Sequence, residues 1–96
     1  MERKQIIELL QQHQHDLKQY GVRSVAIFGS AARDQIGPTS DVDVLVEFEG
    51  PTTFDQYMDT KFYLEDLFGR SVDLVTRRAL KPQLLPEVER ELLYVT

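Results

Sequence analysis

The stretch Asp41-Val42-Asp43-Val44-Leu45-Val46-Glu47-Phe48 restricts this chain more than any other. Val42, Val44 and Val46 alternate with Asp41, Asp43 and Leu45, which is the period of two that a β-strand requires. Asp41 and Asp43 therefore share one face, about 6.6 Å apart along the strand. At an effective dielectric of 20, two like charges at that distance repel by roughly 2–3 kcal/mol. A strand that continues into Val44-Leu45-Val46 does not start in a fully solvated place, so something should offset the repulsion.

Other short apolar runs flank this strand, and helical patterns separate them. Ile6, Ile7, Leu10, Leu17 and Tyr20 recur at helical spacing, which predicts a helix over roughly residues 2–19, ended near Gly21. Val22 to Phe28 reads as a buried strand before Gly29. Ser30 to Gln35 has room for about two helical turns, and Gly37-Pro38 ends it. Thr53 and Gln56 have the spacing of a capping box. They open an apolar helix through Phe68 that stops at Gly69. Ser71 to Thr76 is a third strand. Pro86 suits the first turn of a short helix through Glu91, and Leu92 to Val95 reads as a last strand or a packed end. The order α-β-α-β-α-β-α predicts an α/β (α+β) domain, a small mixed sheet with helices packed on it.

Composition narrows the function classes. The chain has 96 residues, which is one domain with no spare lobe. Its net charge of −5 disfavours a nucleic-acid polymer as main ligand, since such binding rests on a positive footprint. With no cysteine there is no disulfide, thiolate zinc site or Cys nucleophile. No apolar run approaches the ~20 residues of a membrane span, and no signal-peptide core follows Met1, so the expectation is a soluble, cytoplasmic protein without a membrane partner.

Three features carry chemistry. Gly29-Ser30 lies where a strand turns into a helix. Gly allows a tight turn and close approach, and a helix start offers free N–H groups to an anion such as phosphate. Ser30 adds a hydroxyl, and Arg33 adds a positive fork one turn on; the same residues also read as an ordinary N-cap and a solvated arginine. Asp41-x-Asp43 suits a divalent cation, because Mg²⁺ prefers carboxylate oxygens, and also reads as a polar turn closed by Ser40 and Asp41. Asp73 sits between Val72 and Leu74, where a carboxylate is costly unless paired or metal-bound, or unless the strand is an edge with Asp73 facing water. Beside the strand of Asp41 and Asp43, it would complete the three carboxylates of a two-metal site.

Gly29-Ser30, ten intervening residues and Asp41-Val42-Asp43 resemble the G-S-x10-D-x-D signature of the DNA polymerase β-like nucleotidyltransferase superfamily. Chance would place these four letters in a chain this long on the order of once in a thousand. Phe28-Gly29-Ser30-Ala31-Ala32-Arg33, then Ser40-Asp41-Val42-Asp43-Val44-Leu45-Val46, is similar to its minimal nucleotidyltransferase (MNT) branch, the MntA-type antitoxins paired with HEPN-domain toxins. Val72-Asp73-Leu74-Val75 resembles the branch's third-carboxylate strand, and the tail from Lys81-Pro82 to Tyr94-Val95 resembles its ending. The resemblance covers nearly the whole chain and implies a polymerase β-like fold. It implies two Mg²⁺ ions held by Asp41, Asp43 and Asp73, which would also be the catalytic residues. Gly29, Ser30, Arg33 and Ser40 would bind the nucleotide. AMP would pass from ATP to a tyrosine of a partner HEPN toxin in a hetero-oligomer, with Asp73 assisting removal of the hydroxyl proton. Two other functions fit the residues: a non-catalytic module that occludes its partner, and a transferase acting on a small molecule or an RNA end.

Some residues carry less. His13 and His15 read as surface residues. Arg77-Arg78 and Lys81 form a small basic cluster, either a solvated loop or a contact to nucleotide or an acidic partner. Tyr57, Phe62 and Tyr63 cannot all face inward. Glu47, Glu49, Glu65 and Asp66 are alternative third ligands, ranked below Asp73 because none lies within an apolar strand.

Overall fold

The first helical stretch is broken in two. In the computed structural model, which describes residues 1–96, α1 (Arg3–Gln12) and α2 (Gln14–Gln19) meet at His13, where one helix over 2–19 was expected. His13 leaves the helical region (φ −111°, ψ 20°), and its Nδ1–H donates to the Leu9 carbonyl at 2.8 Å. Such a side-chain bond to nearby backbone competes with the helix ladder. Ile6, Leu10 and Leu17 are still buried in one core.

Next come β1 (Val22–Ile27), α3 (Gly29–Ala32), β2 (Val42–Phe48), α4 (Phe54–Phe68) and β3 (Val72–Thr76). A 3₁₀ turn over Arg77–Ala79, α5 (Leu85–Glu91) and β4 (Leu93–Tyr94) complete the chain. The expected seven-element order stands, with the helix break and the 3₁₀ turn added, and of the two readings of Leu92 to Val95 the last strand holds, as the two-residue β4. α3 is shorter than the expected 30–35, because Asp34 takes a left-handed backbone (φ 59°) just past it.

The four strands form one mixed sheet in the order β3-β2-β1-β4. β2 runs antiparallel to β1 and parallel to β3, and β4 is antiparallel to β1. The parallel pair needs a crossover, which α4 provides. Its N-terminus is the expected capping box: Thr53 Oγ1 accepts the Gln56 N–H at 3.0 Å, and Gln56 Oε1 accepts the Thr53 N–H at 3.4 Å. Gln56 Nε2 also donates to the Tyr20 carbonyl at 2.7 Å, tying α4 to the end of α2.

Strand alternation divides the sheet into two faces. Val42, Val44, Val46 and Phe48 join Val25, Ile27, Val72 and Leu74 in the core cluster with Ile6, Leu10, Leu17, Leu64 and Phe68 of the helices. Burying one such aliphatic side chain contributes about 1.5–3 kcal/mol. The opposite face carries Asp43, Leu45 and Glu47 of β2 and Asp73 and Val75 of β3. Ala26 and Leu45 are buried as well, but stand outside the core cluster. The Leu45 side is edged by Arg77, whose guanidinium donates to the Tyr94 hydroxyl at 2.6 Å and to Glu89 at 3.1 Å.

The α4 aromatics split as their spacing requires. The Tyr57 hydroxyl donates to the Leu74 carbonyl and Tyr63 to Asp16, whereas Phe54 and Phe62 are 75% and 54% exposed. No helix is long and apolar enough to cross a membrane.

Candidate active site

Three chain segments meet where β1 ends and β2 and β3 begin. Phe28 is extended (φ −147°, ψ −174°), and its N–H donates to the Asp43 carbonyl at 3.2 Å, which sets Gly29 against Asp43. Gly29 has φ +59°, and a Cβ there would stand 2.2 Å from Asp43 Oδ2. Both facts demand glycine, one for backbone freedom and one for close approach.

The N-cap of α3 is Phe28, not Ser30, and no side chain caps the helix. The reading of Ser30 as a cap therefore falls, and the first N–H groups of α3 are left without acceptors one turn back. Ser30 is the second residue of α3, half-buried beside Gly29.

Arg33 is one turn further on, and its charge acts on Asp43. Its guanidinium is engaged: Nη1 lies 2.6 Å from Glu91 Oε1, and Nε donates to Gln35 Oε1 at 3.2 Å. Ser40 closes a local turn, with its N–H on the Gly37 carbonyl and its Oγ accepting the Gly37 N–H, both at 3.2 Å.

The carboxylates converge in part. Asp43 and Asp73 are directly opposite on neighbouring parallel strands. Of the two readings of Asp73, the buried strand is corrected and the edge strand holds: β3 is the sheet edge, and Asp73 is exposed on the open face. An edge strand has one neighbour only, so water reaches the side chain that the Val72 and Leu74 flanks seemed to enclose. Asp41 is exposed just before β2, and no three acidic side chains close around a common point. The Asp43 carboxyl is pushed above its ordinary 3.8 by burial, then by the negative charges of Asp73 and Asp41, against a lowering by Arg33. A hydrogen bond between the Asp43 and Asp73 carboxyls adds to the rise, since it needs a proton on one of them. An all-oxygen donor set whose members repel one another fits a hard divalent cation, which would relieve the repulsion that now raises Asp43.

The alternative third ligands are occupied elsewhere or lie apart. Glu47 pairs with Arg23 at 3.5 Å, and Glu65 accepts the Val72 N–H at 3.0 Å. Glu49 and Asp66 are exposed, one at the far end of β2 and the other on α4. A cleft of about 330 Å³ beyond the far end of β2 is lined by Thr52, Thr76, Arg77 and Arg78 among others, and holds none of the three aspartates. The aspartates stand instead on an open shelf.

Sequence reasoning missed Glu91 on Arg33, and it missed two arginines that hold the segment between Ser30 and Asp41. Arg3 donates from its N–H to Asp34 Oδ1 at 2.7 Å and from Nη1 to the Ala32 carbonyl at 3.0 Å. Arg70 Nη2 donates to the Gly37 and Pro38 carbonyls, each at 3.2 Å. These contacts span 29 to 58 positions of the chain, and no periodicity or spacing signals them.

Known proteins resemble this chain in sequence and fold. A family model described as a nucleotidyltransferase domain matches residues 4–95. The protein adenylyltransferase MntA of Thermococcus cleftensis is 38% identical over 92 residues, 95% of this chain and 93% of that one. A solved structure provisionally titled a minimal nucleotidyltransferase superposes with a TM-score of 0.85 at 33% identity, covering 97% of this chain and 95% of that one. A chain of the complex between a tri-AMPylated Shewanella oneidensis HEPN toxin and an MNT antitoxin shares the fold, with a TM-score of 0.68 at 17% identity over 94% of this chain and 71% of that one.

Proposed function

The chain belongs to the nucleotidyltransferase domain family, and we propose that it transfers AMP from ATP, with Mg²⁺, to a tyrosine hydroxyl of a partner HEPN toxin and so acts as the antitoxin. One observation carries the reading: Gly29 abuts Asp43, and Asp43 faces Asp73 across the open end of two parallel strands. The reading takes the turn at Gly29 as the phosphate site, beside carboxylates that repel one another. The MntA relative and the AMPylated HEPN complex support the reaction and the kind of partner.

Each side chain has a role in that reaction. The free N–H groups at Gly29 and Ser30, with the Ser30 hydroxyl, receive the β- and γ-phosphates. Arg33 neutralises them further when it exchanges the Glu91 carboxylate for a phosphate. Asp41, Asp43 and Asp73 would hold Mg²⁺, which when bound neutralises phosphate charge and makes the attacking hydroxyl easier to deprotonate. The tyrosine oxygen forms a bond to the α-phosphorus, the bond from that phosphorus to the bridging oxygen breaks, and pyrophosphate leaves. Asp73, the exposed member of the carboxyl pair, takes the hydroxyl proton. Ser40 serves by shaping the turn that leads into Asp41. The open shelf leaves the acceptor to arrive on another protein, and positioning with charge neutralisation is most of what such a transfer needs.

The test uses the full chain, its HEPN partner, Mg²⁺ and α-labelled ATP. Label is expected on a partner tyrosine, and it should vanish with Asp41→Ala. Neutralisation of the partner without label, or equally well by the Asp41→Ala protein, would show occlusion instead of transfer.

A further inference from the structure

The two halves of the site are joined by a segment with no place in the sheet. Residues 33–41 run from the end of α3 to the start of β2. Two arginines from distant elements hold this segment, one near each end. Arg3 holds the end next to the phosphate-binding turn, through Ala32 and Asp34. Arg70 holds the end next to Asp41, through the carbonyls of Gly37 and Pro38.

The geometry points to Arg70 as a positioning residue that sets where Asp41 stands relative to the Asp43–Asp73 pair. The inference rests on the metal-dependent transfer proposed above. Gly37 and Pro38 lie four and three residues before Asp41, and Arg70 lies three residues before Asp73. One guanidinium thus links the entrances of both carboxylate strands. A second link follows at once, because the Val42 N–H donates to the Ser71 carbonyl at 3.0 Å. Asp41 is exposed and precedes the first residue of β2. The backbone on either side of it is therefore what fixes its place, and Arg70 with Ser71 supplies the anchors.

Arg70 is an odd choice for packing alone. Its Nη1 is buried without a hydrogen-bond partner, and an unpaired buried donor costs stability. A methionine of similar length would fill the space without that cost. What methionine lacks is a donor: Nη2 alone reaches both carbonyls, held in place by the rigid guanidinium plane, whereas lysine carries its charge on a flexible stem.

The test measures binding of Mn²⁺ to the full chain saturated with a non-hydrolysable ATP analogue, and binding of the analogue alone without metal. Arg70→Met is expected to weaken Mn²⁺ binding about tenfold, as loss of a group that orients metal ligands commonly does. The metal-free analogue should bind within about twofold of the parent, and the thermal midpoint should not fall. Arg70→Lys should recover part of the Mn²⁺ affinity, and it remains the informative variant if Arg70→Met does not fold. Arg3→Met should weaken the analogue more than the metal. Unchanged Mn²⁺ affinity in both Arg70 variants overturns the inference, as does an equal loss of Mn²⁺ affinity in Arg3→Met. If the parent chain binds no Mn²⁺ with the analogue, the transfer reading fails together with it.

Discussion

The two faces of the sheet are made by alternate residues of the same strands, and they do opposite things. Along β2, Val42, Val44, Val46 and Phe48 are buried against helices, and each adds to stability. Between them, Asp43 shares the open face with Asp73, and its charge is disfavoured by burial and by its neighbours. A one-residue step along the backbone therefore separates what holds the fold from what, in the proposed transfer, would do the chemistry. The covered side keeps a polar group such as Thr60 only with its hydrogen bond made, whereas the open face keeps a mutually repelling cluster, which the proposed substrate and metal would relieve. If this separation is real, changes on one face should leave the other face's property almost untouched.

The largest expected effect is a crossed pair on neighbouring residues of β2. Asp43→Ala should lower the transfer rate by at least about a thousandfold while the unfolding midpoint does not fall. Val44→Ala should cost about 2 kcal/mol of stability through lost burial and a cavity, with the rate per folded molecule kept within about threefold. Denaturant titration and transfer of label onto the partner measure the two axes. A Val44→Ala protein as inactive as Asp43→Ala would break the division between the faces.

Gly29 is where the two faces stop being independent. Alanine there must adopt φ near +59° and would place its Cβ 2.2 Å from Asp43 Oδ2. Gly29→Ala should cost about 1–2 kcal/mol from backbone strain. It should also lower the transfer rate about a hundredfold, because Asp43 has to move. Loss of rate with full stability would mean that the chain shifts without strain, and that close approach alone carries the effect.

Much of this division is visible along the chain. The valine alternation that places Asp41 and Asp43 on one face needs only the period of a strand, and the Thr53–Gln56 capping box is local as well. Local chemistry is what a sequence displays. The His13 break was hidden because its apolar pattern continues on both sides of a distortion made by one ring nitrogen. The exposure of Asp73 stays undecided in the sequence because an edge strand and a central strand have the same letters, and strand order is decided by the whole sheet. Arg70 and Glu91 act across 32 and 58 positions of the chain, so nothing near them in sequence announces their partners.

The carboxyl pair adds a dependence on pH that the covered face lacks. Asp43 titrates above its ordinary 3.8 in the folded chain, so folding favours its protonated form. That contribution is fully present below about pH 3.8 and is lost as pH rises through the raised value. Asp43→Asn, which removes the charge, should therefore melt higher than the parent at pH 7 by a few degrees or so. The advantage should shrink as pH falls toward 4. Thermal melts of both proteins across this range check the sign. An advantage that grows on acidification would mean that the Asp43 charge is stabilised in the fold, and the repulsive account of the open face would be wrong.

The smallest effect concerns the contact between the tail and Arg33. Arg33 lies a turn beyond Gly29, and Glu91 of α5 holds its guanidinium at 2.6 Å, with the two side chains 48% and 39% exposed. An ion pair this exposed is worth at most about 1 kcal/mol, so Glu91→Gln should shift the melt only slightly. Its effect on nucleotide should run the other way. A carboxylate on Arg33 competes with any phosphate that needs the same guanidinium, and glutamine keeps the shape but not the charge. Glu91→Gln should therefore bind an ATP analogue about two- to fivefold more tightly, the most that an exposed pair of this kind can withhold. The gain should fade at high salt, where the pair in the parent is already screened. Calorimetric titration at low and high salt reads both. If affinity is unchanged, Arg33 is not a phosphate ligand and the Arg33–Glu91 pair belongs to the fold; if affinity rises, the open face is bare only where the nucleotide must enter, and the tail guards the rest of it.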